Sequence, residues 1–142
     1  MTSKWVQLPK WSTRTERGEP FLIHASELDE VHKHFVSNGA TVVNVTIAEA
    51  QTLAAIIGTL KHVLAFPEWC GSNWDSLDDA FAELRKAWPL PLVVVVDGLS
   101  RVLVEHPHLA LNTVLGLSRL SEAFAVAGDQ VVMLYVADRW GQ

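Results

Sequence analysis

The spacing of apolar side chains changes along the chain, and the changes predict alternating strands and helices. Apolar positions three and four residues apart, the repeat of a helix with one buried side, recur at residues 28–35, 53–64 and 114–124. Continuous runs rich in β-branched residues at 92–96 and 131–136 predict strands that are buried on both faces of a sheet. Because helices separate the strands, we expect an α/β fold in which a small parallel sheet is flanked by helices.

Cap residues predict where the first elements begin and end. Short strands are expected at residues 21–23 and 41–45. Each is followed by a capping-box pattern that would begin the next helix, SELD at 26–29 and TIAE at 46–49. Asn38–Gly39 marks the end of the first helix.

Turn residues punctuate the C-terminal half in the same way. Prolines end a helix just before the first buried strand, and Asp97–Gly98 turns the chain into a short helix at about residues 101–105. A longer helix is expected from about 109 to 127, with Gly128 in the C-cap position. The predicted order is therefore strand, turn, two helices and a final strand.

An acidic helix with one apolar side is predicted within residues 66–88, FPEWCGSNWDSLDDAFAELRKAW. Asn73 is a favourable N-cap, because its side-chain oxygen can accept a hydrogen bond from a free amide of the first turn. The apolar stripe consists of Trp74, Leu77, Phe81, Leu84 and Trp88. On the opposite side Asp75, Asp79 and Glu83 step by four, and like charges at this spacing destabilise a helix by roughly 0.2–0.5 kcal/mol per pair. An ordinary solvated face is the commoner origin of such a stripe taken alone.

The loop before this helix favours a binding face instead. Pro67 and Gly71 fix a turn, and Trp69 and Cys70 lie between them, where a large ring cannot easily reach the core. We therefore expect Trp69 to be partly exposed beside the acids. An exposed aromatic side chain next to a row of carboxylates suggests a surface that binds a basic partner.

Composition and charge narrow the functional classes. The 142 residues are 49% hydrophobic, which is enough for one compact domain. The net charge of -5 and the pI near 5.6 argue against nucleic acid or an anionic membrane as the main partner. A single cysteine excludes an internal disulfide framework. Because the first residues lack the apolar segment of a secretory signal and no apolar run approaches about 20 residues, we expect a cytoplasmic protein without a membrane span.

The candidate groups for catalysis or metal binding lack the surroundings that either function needs. Asp75 and Asp79 would lie about 6 Å apart on an exposed helix face, which offers no burial to raise one pKa for acid–base catalysis. Cys70 is either an activated thiolate or a plain free thiol, and no histidine is tied to it by sequence. Two histidine pairs spaced i, i+2 lie outside the predicted strands and so do not point at a common metal: His32 with His34, and His106 with His108. We expect no metal, no cofactor and no enzymatic activity.

The stretch FPEWCGSNWDSLDDAF resembles the binding loop and following helix of the barstar family, intracellular inhibitors of ribonucleases such as barnase. The family pattern, roughly Pro-Glu-aromatic-aromatic-Gly-x-Asn-hydrophobic-Asp-x-Leu-x-Asp, is filled here by Pro67, Glu68, Trp69, Gly71, Asn73, Trp74, Asp75, Leu77 and Asp79. The order of elements from about residue 41 to 136 is also similar to the family's. The resemblance implies a barstar-like three-layer fold for residues 40–142. Residues 1–39 would be an N-terminal extension, a basic tail at 1–18 followed by a βα unit.

The resemblance also implies a site and a partner. The family blocks the basic active site of a ribonuclease with this loop and helix. Asp79 would enter the phosphate-binding pocket, Asp75 would pair with neighbouring basic groups, and Trp69 would pack on the enzyme. The implied partner-binding residues are Trp69, Gly71, Asn73, Trp74, Asp75, Asp78, Asp79, Glu83 and Glu122. The partner would be a basic extracellular guanyl-specific ribonuclease, bound by a monomer in a 1:1 complex.

The chain departs from the family pattern in ways that leave alternatives open. Cys70 replaces a second aromatic residue, and Asp78 replaces a large apolar one. A glutamate of the family's last long helix falls at Glu122 or at Ala123, and in the second register one contact would be missing. Residues 1–39 either extend the sheet by a strand and a helix or cover one edge. A barstar-fold interaction or regulatory module without a ribonuclease target is the alternative function, and an acid–base or cysteine enzyme at the loop is a third.

Overall fold

Strands and helices alternate through the part of the chain that the computed structural model describes, which is Val6 and residues 20–139. The basic tail predicted at 1–18 lies outside these described residues, apart from Val6. The elements are β1 (Phe21–His24), α1 (Leu28–Ser37), β2 (Thr41–Thr46), α2 (Leu53–Val63), α3 (Trp74–Asp79), α4 (Phe81–Ala87), β3 (Leu92–Asp97), α5 (Leu99–Glu105), α6 (Pro107–Val126) and β4 (Val131–Ala137).

The four described strands form one parallel sheet in the order β1-β4-β3-β2. The two inner strands β3 and β4 are the continuous apolar runs, and nearly every residue in them is buried. In the register, Leu92 of β3 lies opposite Thr41 of β2 and Val131 of β4. This parallel sheet confirms the predicted α/β fold. The continuous apolar runs predicted the inner strands because a strand with both faces covered needs apolar side chains at consecutive positions.

Helices cover both faces of this sheet, as the three-layer expectation requires. One set of strand residues, including Val94 and Tyr135, packs with the apolar sides of α2, α4, α5 and α6. The alternate set, including Val93 and Leu134, packs with Phe35 of α1. Side chains of successive strand residues point to opposite faces, so each inner strand contributes to two separate cores.

The N-terminal unit adds a strand and a helix to the sheet, one of the two arrangements left open for it. β1 pairs in parallel with β4, with Phe21 opposite Leu134. Val6 is also attached to this region, because the buried side chain of Gln130 accepts from its N–H at 2.7 Å and donates to its carbonyl at 2.8 Å. The extension is thus joined to the inner strand β4 through its strand β1.

Both predicted capping boxes are wrong in position. The first box is formed by His24 and Glu27, since His24 Nδ1 accepts from the N–H of Ser26 and Glu27 Oε1 accepts from the N–H of His24. It opens a short 3₁₀ turn that leads into α1. The second helix begins at Leu53 with Thr52 as its N-cap, because Thr46 is still paired in β2 opposite Asp97. At the second place the pairing of Thr46 in the sheet, which the local pattern does not encode, excludes this residue as a helix cap.

The two C-terminal helices each begin about two residues earlier than predicted, α5 at Leu99 and α6 at Pro107. α6 begins at Pro107, the favoured place for proline, because its missing N–H would have no partner in the first turn. It ends before Gly128, whose φ is +91° as expected of a C-cap glycine. None of the helices in the described residues is long and apolar enough to cross a membrane.

Candidate functional site

The loop between α2 and α3 is held to the protein on both sides. Phe66 is buried and packs edge-on against Trp88, whose indole Nε1 donates to the carbonyl of Leu64 at 2.8 Å. Further along, Lys61 Nζ on α2 donates to the carbonyl of Cys70. Trp69 lies between these two anchors and is 57% exposed, so the prediction of a partly exposed aromatic ring is confirmed.

Cys70 points inward from this loop. Its side chain is buried, and its Sγ lies 3.6 Å from the carbonyl oxygen of Gly71. Burial raises the pKa of the Cys70 thiol above its ordinary value, Lys61 acts in the opposite direction and Asp79 raises it further. A thiol with a raised pKa stays protonated at neutral pH, which is the reverse of an activated nucleophile.

Cys70 is expected to react with iodoacetamide at pH 7.5 roughly tenfold or more slowly than a free cysteine, because little thiolate forms and the sulfur is buried. The rate should approach that of free cysteine in denaturant. Since the folded pKa lies above the unfolded value, the folded state holds the thiol proton more tightly. The free energy of unfolding should therefore fall as the pH rises beyond about 8.5, where the unfolded chain loses this proton and the folded protein still holds it. Equal labelling rates in native and unfolded protein would contradict this assignment.

The acidic segment is two short helices rather than the single helix predicted. Asn73 caps the first of them as expected, its Oδ1 accepting from the N–H of Ser76 at 2.8 Å. The second begins after Ala80, whose ψ of -4° is far from the α-helical value of about -42° although the residue stays in the right-handed helical region. The N–H of Ala80 is shared between the carbonyls of Ser76 at 3.2 Å and Leu77 at 3.1 Å. Tightening of the last turn of α3 therefore ends this helix, and α4 starts at Phe81.

The break leaves the apolar and acidic sides as the sequence predicts. Leu77 and Leu84 are buried in the core, and the side chains that point away from it are exposed: Asp75, Asp78, Asp79 and Glu83. Asp78 faces Arg119 of α6 at 3.5 Å. Among the described residues, the ion pairs leave Asp75 and Asp79 without a cationic partner. These two carboxylates are therefore available to a partner.

Trp74, the first residue of α3, is half-buried against α6. Its indole Nε1 donates to Oδ1 of Asn112 at 2.6 Å, and its ring lies directly over Gly116. Trp74 and Asn73, both predicted to bind a partner, thus use their side chains to hold α3 in place. The contacts with Asn112 and Gly116 were missed by sequence reasoning, because nothing local links α3 to α6.

The remaining predicted residues lie at the edges of this surface. Gly71 is half-buried against the first turn of α3, where a Cβ would come within 2.7 Å of Ser76 Oγ. Glu122 is exposed on α6, three residues beyond Arg119, and Ala123 beside it is half-buried. The role of Glu122 in binding stays a prediction. Two cavities in the described residues, of about 430 and 470 Å³, are lined by neither Cys70 nor the acids of α3.

An exposed tryptophan on an anchored loop, followed by carboxylates on a capped helix that no cation in the described part of the chain neutralises, is a surface suited to a cationic protein partner. Comparison with curated proteins finds no match. Comparison with protein families matches the chain over residues 40–136 to Barstar (barnase inhibitor), and the match includes the loop, both acidic helices and three of the four strands. Because this match spans more than half of the chain, the protein belongs to the barstar (barnase inhibitor) family.

Proposed function

We propose that this protein inhibits a basic ribonuclease by covering its active site with Trp69 and the exposed face of α3. The observation that carries the proposal is the pair of exposed carboxylates, Asp75 and Asp79, with which no cation of the described residues forms an ion pair, near an exposed ring in a member of an inhibitor family. Both carboxylates would take the place of RNA phosphates. The protein itself has no catalytic step in this proposal.

The partner would be a secreted microbial ribonuclease, guanyl-specific in its cleavage, held in a 1:1 complex in the cytoplasm of the cell that makes both proteins. Complementary charge supports a basic partner. An acidic face approaching a basic cleft speeds association, and carboxylates that lose water on binding become strongly coupled to the arginines and lysines they meet. The net charge of -5 also favours association with a basic protein.

The test is titration of the purified protein into a guanyl-specific microbial ribonuclease while RNA cleavage is followed, at low and at high salt. We expect activity to fall in proportion to the inhibitor added, reaching zero near one equivalent. The association rate should decrease as salt rises, because screening shortens the range of the acidic field. Cleavage that continues at every dose with several such enzymes would reject the proposal.

A non-inhibitory binding module is the second candidate, and the pair formed by Asp78 and Arg119 favours it. Arg119 places a cation at the edge of the acidic face, where it offsets part of the charge that a ribonuclease cleft would meet. Such a module would bind a basic protein without reducing ribonuclease activity. Pull-down of a basic protein together with unchanged RNA cleavage in the titration would select this candidate.

A further inference from the structure

The position of the acidic helix α3 depends on a glycine in α6. If Gly116 carried a Cβ, that atom would lie 2.1 Å from Cε2 and 2.4 Å from Cζ2 of Trp74. Atoms this close overlap, so the indole ring fits only where residue 116 has no side chain. Asn112, one helical turn earlier on the same side of α6, accepts the hydrogen bond from the indole nitrogen at 2.6 Å.

The backbone of α6 does not itself require glycine at this position. Gly116 lies in the interior of a 20-residue helix, and its φ is outside the left-handed region that favours glycine. Glycine in a helix interior is less favourable than alanine, because it loses more conformational freedom on folding. The ring of Trp74 is therefore the feature of the structure that accounts for glycine at residue 116.

α3 needs such an external contact because it is short. It has six residues and ends at Ala80, and isolated helices of this length are not stable in water. Trp74 is its first residue and directly precedes Asp75. Leu77 of α3 and its C-cap Ala80 are buried in the core. Besides Trp74, a polar contact of α3 with α6 is the exposed pair of Asp78 and Arg119 at 3.5 Å, which is too long and too solvated to fix a helix firmly.

We propose that Asn112 and Gly116 form a seat for the Trp74 ring, and that this Trp74 seat sets where α3 presents Asp75 and Asp79. Asn112 and Gly116 are thus positioning residues for the binding surface. The consequence for inhibition rests on the proposed function, whereas the consequence for the order of α3 does not. The seat therefore has a readout that is independent of any ribonuclease.

The test begins with Gly116→Ala, measured by amide hydrogen exchange and by inhibition. The added methyl group should displace the ring, so exchange at residues 75–80 should accelerate at least tenfold while exchange in α2 stays unchanged. Affinity for the ribonuclease should fall at least tenfold. Gly58→Ala is the matched control, since Gly58 also lies in a helix but a Cβ there meets nothing within 4 Å. It should leave both readouts at their wild-type values.

A second variant separates the seat from general damage to α6. In Gly116→Ala combined with Trp74→Leu, the large ring that collides with the methyl group is gone. Exchange and affinity should then equal those of Trp74→Leu alone, so the two changes are not additive. Should Gly116→Ala fail to fold, Asn112→Ala removes the acceptor without adding bulk, and exchange at residues 75–80 should rise several-fold.

Three results would overturn the seat. One is exchange at residues 75–80 that is as slow in Gly116→Ala as in Gly58→Ala. Another is acceleration spread equally over all helices, which would mark a purely structural role. The third is an additive double variant. If the wild-type protein blocks no ribonuclease but α3 responds to Gly116→Ala as expected, the seat stands and the proposed function fails.

Discussion

Replacing Asp79 by alanine is expected to weaken inhibition of a basic ribonuclease by hundreds- to thousands-fold. Removing one partner of an ion pair buried in an interface leaves the other charge without water or a counter-charge, which costs about 3–5 kcal/mol. In the free protein Asp79 is exposed, and no described cation pairs with it. The stability of the uncomplexed variant should therefore stay within about 0.5 kcal/mol of wild type. Inhibition constants and urea unfolding curves measure the two effects separately.

Asp29→Ala is the matched control for the Asp79 variant. Asp29 is also an exposed aspartate in a helix, but it belongs to α1, which packs on the other face of the sheet from α4 and α6. Both variants change the net charge equally, so a general effect of charge on association would appear in both. Full inhibition by Asp79→Ala, or an equal loss in Asp29→Ala, would remove Asp79 from the proposed interface.

Gly98→Ala is expected to destabilise the protein by about 2–5 kcal/mol. Gly98 turns the chain from β3 into α5 with φ of +101°, a left-handed conformation that costs other residues about 1–2 kcal/mol. A Cβ there would also lie 2.4 Å from the backbone nitrogen of Ala48, and overpacking of this kind costs about 1–3 kcal/mol more. Neither backbone segment can move freely, because the N–H of Ile47 donates to the carbonyl of Asp97.

Gly128→Ala separates these two costs. Gly128 has a φ of +91°, but nothing lies within 4 Å of a Cβ built there. Its substitution should therefore cost about 1–2 kcal/mol, from backbone strain alone. If the two variants unfold with the same m-value, the difference between their urea midpoints gives the part of the Gly98→Ala loss that comes from the close approach to Ala48. Equal losses in the two variants would show that the close approach of residues 48 and 98 relaxes without cost.

Local patterns were sufficient where the spacing of apolar residues along the chain follows directly from which positions are buried. The β-branched run of β3 is buried throughout, and the three- and four-residue spacing of Ile56, Ile57 and Leu60 became the buried side of α2. Local patterns failed where the backbone of a residue has a hydrogen-bonding alternative to the predicted one. Thr46 looked like a cap but is paired in a strand, and Ala80 looked helical but ends α3.

By itself the sequence determined the order of strands and helices, the cap at Asn73 and the exposed row of acids, because each depends on residues within a turn or two of one another. The tertiary structure decided what holds this row in place. Trp74 meets Asn112 across 38 residues of chain, Asp78 meets Arg119 across 41, and β1 pairs with β4 from the other end of the protein. Such contacts form only when the fold brings distant segments together, and no spacing within a single segment shows which residue its asparagine or arginine will meet.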